Sequence, residues 1–164
     1  MSHRAVYDTM VFFQWAALPE GRQHGTLQAV LNGDIHLCLS PDALAEISDL
    51  ITRPAIQARS PNLVKERVEQ FLKQLVERAE MFPAVPTSFT WPQHPDDDHL
   101  FNLAIHARVK YLVTWETRLL DLPKSSAAAA KLLRELAPDL EIVTPRELMN
   151  LLKPPPPQAP APTE

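Results

Sequence analysis

The chain has 164 residues, a mass of 18.5 kDa and 45% hydrophobic residues, which suits one domain around one hydrophobic core. Its net charge of −4 and pI of about 5.9 exclude a protein that coats nucleic acid by bulk electrostatics, because such proteins are basic. Mean hydropathy is −0.17, and no apolar run reaches the roughly 18 to 20 residues a bilayer-spanning helix needs, so no membrane role is expected.

The opening Met1-Ser2-His3-Arg4 runs straight into Ala5-Val6-Tyr7, too short a stretch for the apolar core of a secretory signal. The single cysteine, Cys38, has no partner for an internal disulfide and reads as a packed thiol in a buried strand. A reducing, cytoplasmic setting is the expectation.

In chain order, Arg4 to Tyr7 is a short strand that ends at Asp8. A helical stretch follows from Glu20 to Leu31, then a second strand from Ile35 to Leu39. Ser40 caps a helix with Pro41 at its first position, and the apolar stripe is Leu44, Ile47 and Ile51. After Asn62, Val64, Val68, Phe71, Leu72, Leu75 and Ala79 recur at helical spacing, and Lys65–Glu69 and Lys73–Glu77 pair on the surface. Met81 to Val85 reads as a short third strand. Asp96 or Asp97 caps the next helix, whose inner face includes Leu100, Leu103, Ala104 and Ala107. Tyr111 to Thr114 is a clear strand, and Ser125 or Ser126 opens an alanine-rich helix to Leu136. Leu140 to Val143 is the last strand, and Thr144-Pro145 starts a terminal helix from Arg146 to Leu152 with Glu147 completing a capping box.

Six of the 17 prolines fall within residues 154–164. Proline lacks the amide donor that helix interiors and central strands need, so residues 153–164 read as an extended, solvated tail, or as a ligand for a proline-reading partner. The folded domain spans residues 1–152. Strands alternating with helices imply a three-layer α/β/α fold around a mostly parallel sheet of four to five strands. In such sheets ligands bind beyond the carboxyl ends of the strands.

Acids stand at those ends. Asp8 follows the first strand, and Glu116 lies two residues past the strand that includes Thr114. Asp98 opens the helix that feeds that strand, and Glu46 flanks the apolar stripe of the helix after strand two. Singly, Glu46 reads as a surface residue and Asp96 or Asp97 as a cap. Asp8, following an apolar strand and preceding Met10-Val11-Phe12-Phe13, reads as partly buried. Carboxylates gathered together need cations, and hard oxygen donors suit Mg²⁺ or Mn²⁺. Ions so held activate water and stabilise charge on a phosphodiester.

The order of motifs resembles PIN (PilT N-terminus) domains, and within them the VapC-like bacterial toxins. It runs Val6-Tyr7-Asp8-Thr9-Met10-Val11, then Ser40-Pro41-Asp42-Ala43-Leu44-Ala45-Glu46-Ile47, then Pro95-Asp96-Asp97-Asp98-His99-Leu100. It ends with Val113-Thr114-Trp115-Glu116-Thr117-Arg118-Leu119-Leu120 and Ile142-Val143-Thr144-Pro145-Arg146-Glu147-Leu148. The resemblance covers about residues 4–152. It implies a Mg²⁺- or Mn²⁺-dependent endoribonuclease whose metal ligands and catalytic residues are Asp8, Glu46, Asp98 and Glu116. Asp97 is the alternative to Asp98, which stands at the family's spacing from Glu116. The resemblance also implies the toxin of a type II toxin–antitoxin pair, with RNA as substrate, a small antitoxin as partner, and a homodimer.

Two departures stand out. The family's Asn after Asp-Thr is Met10, and its final Asp is Glu116; an acid often found two residues later is Arg118 here. Met10 and Glu116 favour the alternative reading of a weakened or inactive PIN-like binding or assembly module. Thr9 and Thr114 either bond the carboxylates or a metal water, or simply end strands. Arg118 either touches phosphate or balances the acids. Trp115 is a candidate to stack on substrate, whereas Trp15 reads as core. Arg53, Arg59, Lys65 and Arg67 form a modest basic region that reads as solvated surface. The six histidines show no zinc spacing, and His94 and His99 read as capping or surface residues. A phosphoryl-accepting receiver domain would need an acid at the end of strand three, and Met81 to Pro86 offers none.

Overall fold

Alternate residues of a strand face opposite sides of a sheet, so a strand buried on both faces is apolar throughout. The central stretches Ala5-Val6-Tyr7, Leu37-Cys38-Leu39 and Tyr111-Leu112-Val113 have that character. In the computed structural model, which describes residues 2–18, 24–154 and 156–157, the strands are β1 (His3–Tyr7), β2 (Ile35–Leu39), β3 (Glu80–Met81), β4 (Tyr111–Val113) and β5 (Glu141–Val143). They form one sheet of order β3-β2-β1-β4-β5, parallel at every pairing. Ala5 lies opposite Leu37 on one side and Tyr111 on the other.

The helices are α1 (Thr9–Ala17), α2 (Gly25–Leu31), α3 (Pro41–Thr52), α4 (Pro54–Arg59), α5 (Lys65–Arg78), α6 (Asp98–His106), α7 (Thr117–Asp121), α8 (Ala128–Leu136) and α9 (Pro145–Leu151). They cover both faces. On one face Ala5, Tyr7, Leu37, Leu39, Tyr111 and Val113 pack with α1, α2, α3, α5 and α9 through residues such as Phe12, Trp15, Ile47, Leu75 and Leu148. On the other, Val6, Cys38 and Leu112 pack with α6, α7 and α8 through Phe101, Leu119 and Leu133. Period-two alternation thus separates the two cores residue by residue, giving the three-layer α/β/α architecture that the alternating pattern implied.

From β1 the chain builds outward through β2 to β3, then returns past β1 to build β4 and β5 on the other side. The strand order reverses between β1 and β4. The carboxyl ends of these two strands therefore flank the crevice where such sheets bind ligands.

Several elements differ from the sequence expectation. Helix α1 was not expected: Thr-Met-Val-Phe-Phe-Gln-Trp-Ala-Ala is apolar nearly all round and has no readable helical period. The 20–31 stretch is helical from Gly25; residues 20–23 lie outside the described residues. Strand β3 is only two residues, not five. No aspartate caps α6 through its side chain; a 3₁₀ turn, Pro95–Asp97, leads into it instead. The alanine-rich helix opens at Ala128, and Ser125 Oγ accepts from Ala127 N at 3.0 Å. The Ser40 cap and the Thr144–Glu147 capping box are present as expected. Of the proline-rich tail, residues 155 and 158–164 lie outside the described residues. Cys38 is fully buried, and burial pushes its thiol up to about 12, which leaves it inert.

Candidate active site

Asp8 is the residue at which β1 becomes α1. Its amide donates to Val113 O at 2.9 Å, extending the β1–β4 pairing by one bond. Its Oδ1 then accepts from Thr9 N at 2.7 Å as the cap of α1. Its Oδ2 accepts from the Thr114 hydroxyl at 2.8 Å. Thr114, the residue just past β4, is fully buried, and its Oγ1 also accepts from Glu116 N at 3.0 Å. One hydroxyl thus ties the ends of β1 and β4 together across the crevice. Burial raises the Asp8 pKa above its ordinary value. The two hydrogen bonds work against that rise, and the negative charges of Asp97 and Glu116 add to it. Asp8 is therefore a desolvated carboxyl facing two more carboxylates.

Glu46 reaches the site from α3. Its Oε1 accepts from the Thr9 hydroxyl at 2.9 Å, so Thr9 touches both Asp8 and Glu46. Its Oε2 lies 2.6 Å from His99 Nε2. That bond lowers the Glu46 pKa and raises that of His99. The His99 Nδ1 atom is buried and has no partner among the described residues. His99, read from the sequence as a cap or surface residue, is in fact the side chain that holds Glu46. The signal for it was faint: an imidazole at the second position of a helix that packs on α3.

The three consecutive acids part company. Asp97, only 15% exposed at its side chain, receives Arg118 Nε on Oδ2 at 3.1 Å and Nη2 on Oδ1 at 3.4 Å. The same guanidinium places Nη1 2.9 Å from Glu116 Oε2. Asp97 and Glu116 raise the pKa of Arg118 further, Asp97 first. Asp98 instead accepts from the Trp91 amide at 2.8 Å, a contact that anchors the irregular segment before the 3₁₀ turn. Asp97, not Asp98, is the member of the triple whose charge acts on Asp8.

The remaining candidates are placed as follows. Trp115 is 42% exposed and donates Nε1–H to Gln14 Oε1 at 2.7 Å. With Met10, Gln14, Glu116, Thr117 and Arg118 it lines an open groove of about 380 Å³ beside the acids. Trp15 is core, its indole N–H donating to the buried Thr26 hydroxyl at 2.7 Å. The basic region is engaged elsewhere. Arg53 pairs with Asp49 at 2.6 Å, and Arg67 straps the carbonyls of Asn62 and Leu18 at 3.1 Å each.

A family model for the PIN domain matches residues 4–118. The chain belongs to the PIN domain family. No curated protein and no solved structure matches it significantly. The match runs from β1 to Arg118 and so includes Asp8, Glu46, Asp97, Asp98 and Glu116. PIN domains are in general nucleases, and the PIN fold here sets its acids at the sheet's switch point.

The donor set suits a hard divalent ion in kind, being carboxylates around a desolvated Asp8. It does not suit one in position. Among the described residues no group of three or more His, Cys, Asp or Glu side chains is arranged to hold a metal ion. Arg118 engages Asp97 and Glu116, and His99 engages Glu46. Internal cationic or hydrogen-bonding partners occupy the oxygens that an ion would need.

Proposed function

We propose that this PIN domain is an endoribonuclease that hydrolyses RNA phosphodiesters with Mg²⁺ or Mn²⁺, and that it is the toxin of a type II toxin–antitoxin pair. The observation that carries the reading is the linkage of Asp8, through Thr114 and Thr9, to Glu116 and Glu46 at the switch point. Asp8, Glu46, Asp97 and Glu116 are the proposed metal ligands and catalytic set. Asp98, which the family spacing favoured, has an oxygen committed to the Trp91 amide. A divalent ion at these oxygens would neutralise charge on the scissile phosphate and activate water. Thr114 and Thr9 donate to the Asp8 carboxylate, oppose the rise in its pKa and fix its direction. Trp115 presents an exposed ring beside the acids on which a base could stack.

A small antitoxin is the proposed partner and a homodimer the proposed assembly. A cytoplasmic setting is part of the proposal, in keeping with the unpaired, buried Cys38. Among the described residues no helix is long and apolar enough to cross a membrane.

The test is cleavage of RNA by the full chain with Mn²⁺, with Mg²⁺ and with chelator, beside Asp8→Asn. The substitution is expected to remove cleavage by more than the about 100-fold that loss of an outer-shell partner causes, with the fold intact by circular dichroism. Cutting by Asp8→Asn at the wild-type rate would show that the site lies elsewhere.

A second reading, that of a catalytically silent binding module, draws support from Met10, Glu116 and the engaged acids. It predicts that Mn²⁺ does not raise the melting temperature.

A further inference from the structure

We propose that Arg118 is a built-in counter-cation that competes with a divalent ion for Asp97 and Glu116. The inference rests on the metal-dependent reading above and adds how the site is kept in its resting state. The Arg118 guanidinium forks across both acids, with Nε and Nη2 on Asp97 and Nη1 on Glu116. A planar group with five donors can satisfy two carboxylates at once, which an ammonium cannot. A divalent ion would need those same oxygens.

The two cations cannot both be seated. Asp97, at 15% side-chain exposure, has both of its oxygens engaged by Arg118. Arg118 is 41% exposed, near the start of the short helix α7, and it borders the open groove beside Met10 and Gln14. It has room to leave. Its presence gives a physical reason why the acids converge in charge on Asp8 and yet form no ion-ready cluster.

The test is titration of the full-length protein with Mn²⁺, followed by calorimetry, for wild type, Arg118→Lys and Arg118→Gln, with thermal melts of each with and without Mn²⁺. A ligand's affinity falls by the fraction of protein that is closed to it. Two partly exposed ion pairs hold this site closed, so Arg118→Gln is expected to bind Mn²⁺ about three- to tenfold more tightly. Arg118→Lys keeps the charge but loses the fork, and is expected to fall between Arg118→Gln and wild type. Without metal both variants should melt below wild type, and Mn²⁺ should restore them. If Arg118→Lys binds as wild type does, the forked bridge is not the competitor and the proposal fails, whatever Arg118→Gln shows. If all three bind Mn²⁺ equally, the proposal fails while the metal-dependent reading stands. If none binds Mn²⁺, both fall.

Discussion

Thr114→Val removes one hydroxyl from the centre of the site and little else. The side chain is fully buried, Val has nearly the same shape, and the hydroxyl donates to Asp8 Oδ2 at 2.8 Å while accepting from Glu116 N at 3.0 Å. A hydrogen bond to a charged group contributes about 1.5–3 kcal/mol, and the part-buried bond from the Glu116 amide is lost with it. The expected loss is about 2 kcal/mol, or roughly 4–8 °C in Tm for a chain of this size.

The loss has a pH signature. Asp8 already has a raised pKa in the fold, so the folded state binds its proton more tightly than the unfolded chain does. Stability from that proton is fully present below the ordinary carboxylate value and is lost as pH rises through the folded value. The Thr114 bond opposes this rise, so its removal pushes the folded value higher and deepens the loss at neutral pH. Urea melts at pH 4 and pH 7 should show the larger penalty at pH 7, and the penalty should shrink in an Asp8→Asn background. A penalty under about 0.5 kcal/mol at pH 7, or one that does not change with pH, would mean that the hydroxyl does not hold an ionised carboxylate.

Asp97→Asn should weaken Mn²⁺ binding measured by calorimetry, while Asp98→Asn should leave it near wild type, because Asp97 engages Arg118 beside Glu116 whereas Asp98 accepts from the Trp91 amide. His99→Leu should flatten the stability profile between about pH 5 and 8. The raised His99 pKa gives stability present below its ordinary 6.5 and lost as pH rises through the folded value, and the lowered Glu46 pKa gives stability lost as pH falls through its own. The effect should stay near or below about 1 kcal/mol, since Glu46 is 47% exposed; it is read from urea midpoints across that range. Asn102→Ala should cost about 3 kcal/mol or more in chemical denaturation, because the buried amide accepts from Ser88 N and Phe89 N and donates to Phe89 O.

What the chain shows without its fold is what local chemistry controls. The runs Ala5-Val6-Tyr7, Leu37-Cys38-Leu39 and Tyr111-Leu112-Val113 are apolar and buried at every position, which marks burial on both faces and so a parallel, helix-covered sheet. The Ser40-Pro41 start of α3 and the Thr144–Glu147 box are satisfied by neighbours three residues away, so their signals survive in the sequence. Asp8 and Glu116 were recognisable as candidate acids because strand ends are where this topology exposes chemistry.

Helix α1 escaped notice because its composition hides its buried face. Val11, Phe12, Trp15 and Ala16 point into the core, but the outward positions include the apolar Met10, Phe13 and Ala17, so no polar face reveals the period. Among Asp96, Asp97 and Asp98, successive residues of a turn point about 100–120° apart, so a one-residue change in where the 3₁₀ turn meets α6 decides which acid faces Asp8. Linear spacing cannot carry that angle. Nor could it pair Arg118 with Asp97, 21 residues away, or His99 with Glu46, on another helix. The kinds of residue at the site were written locally. Their partners depend on contacts between remote segments, and those exist only once both faces of the sheet are packed.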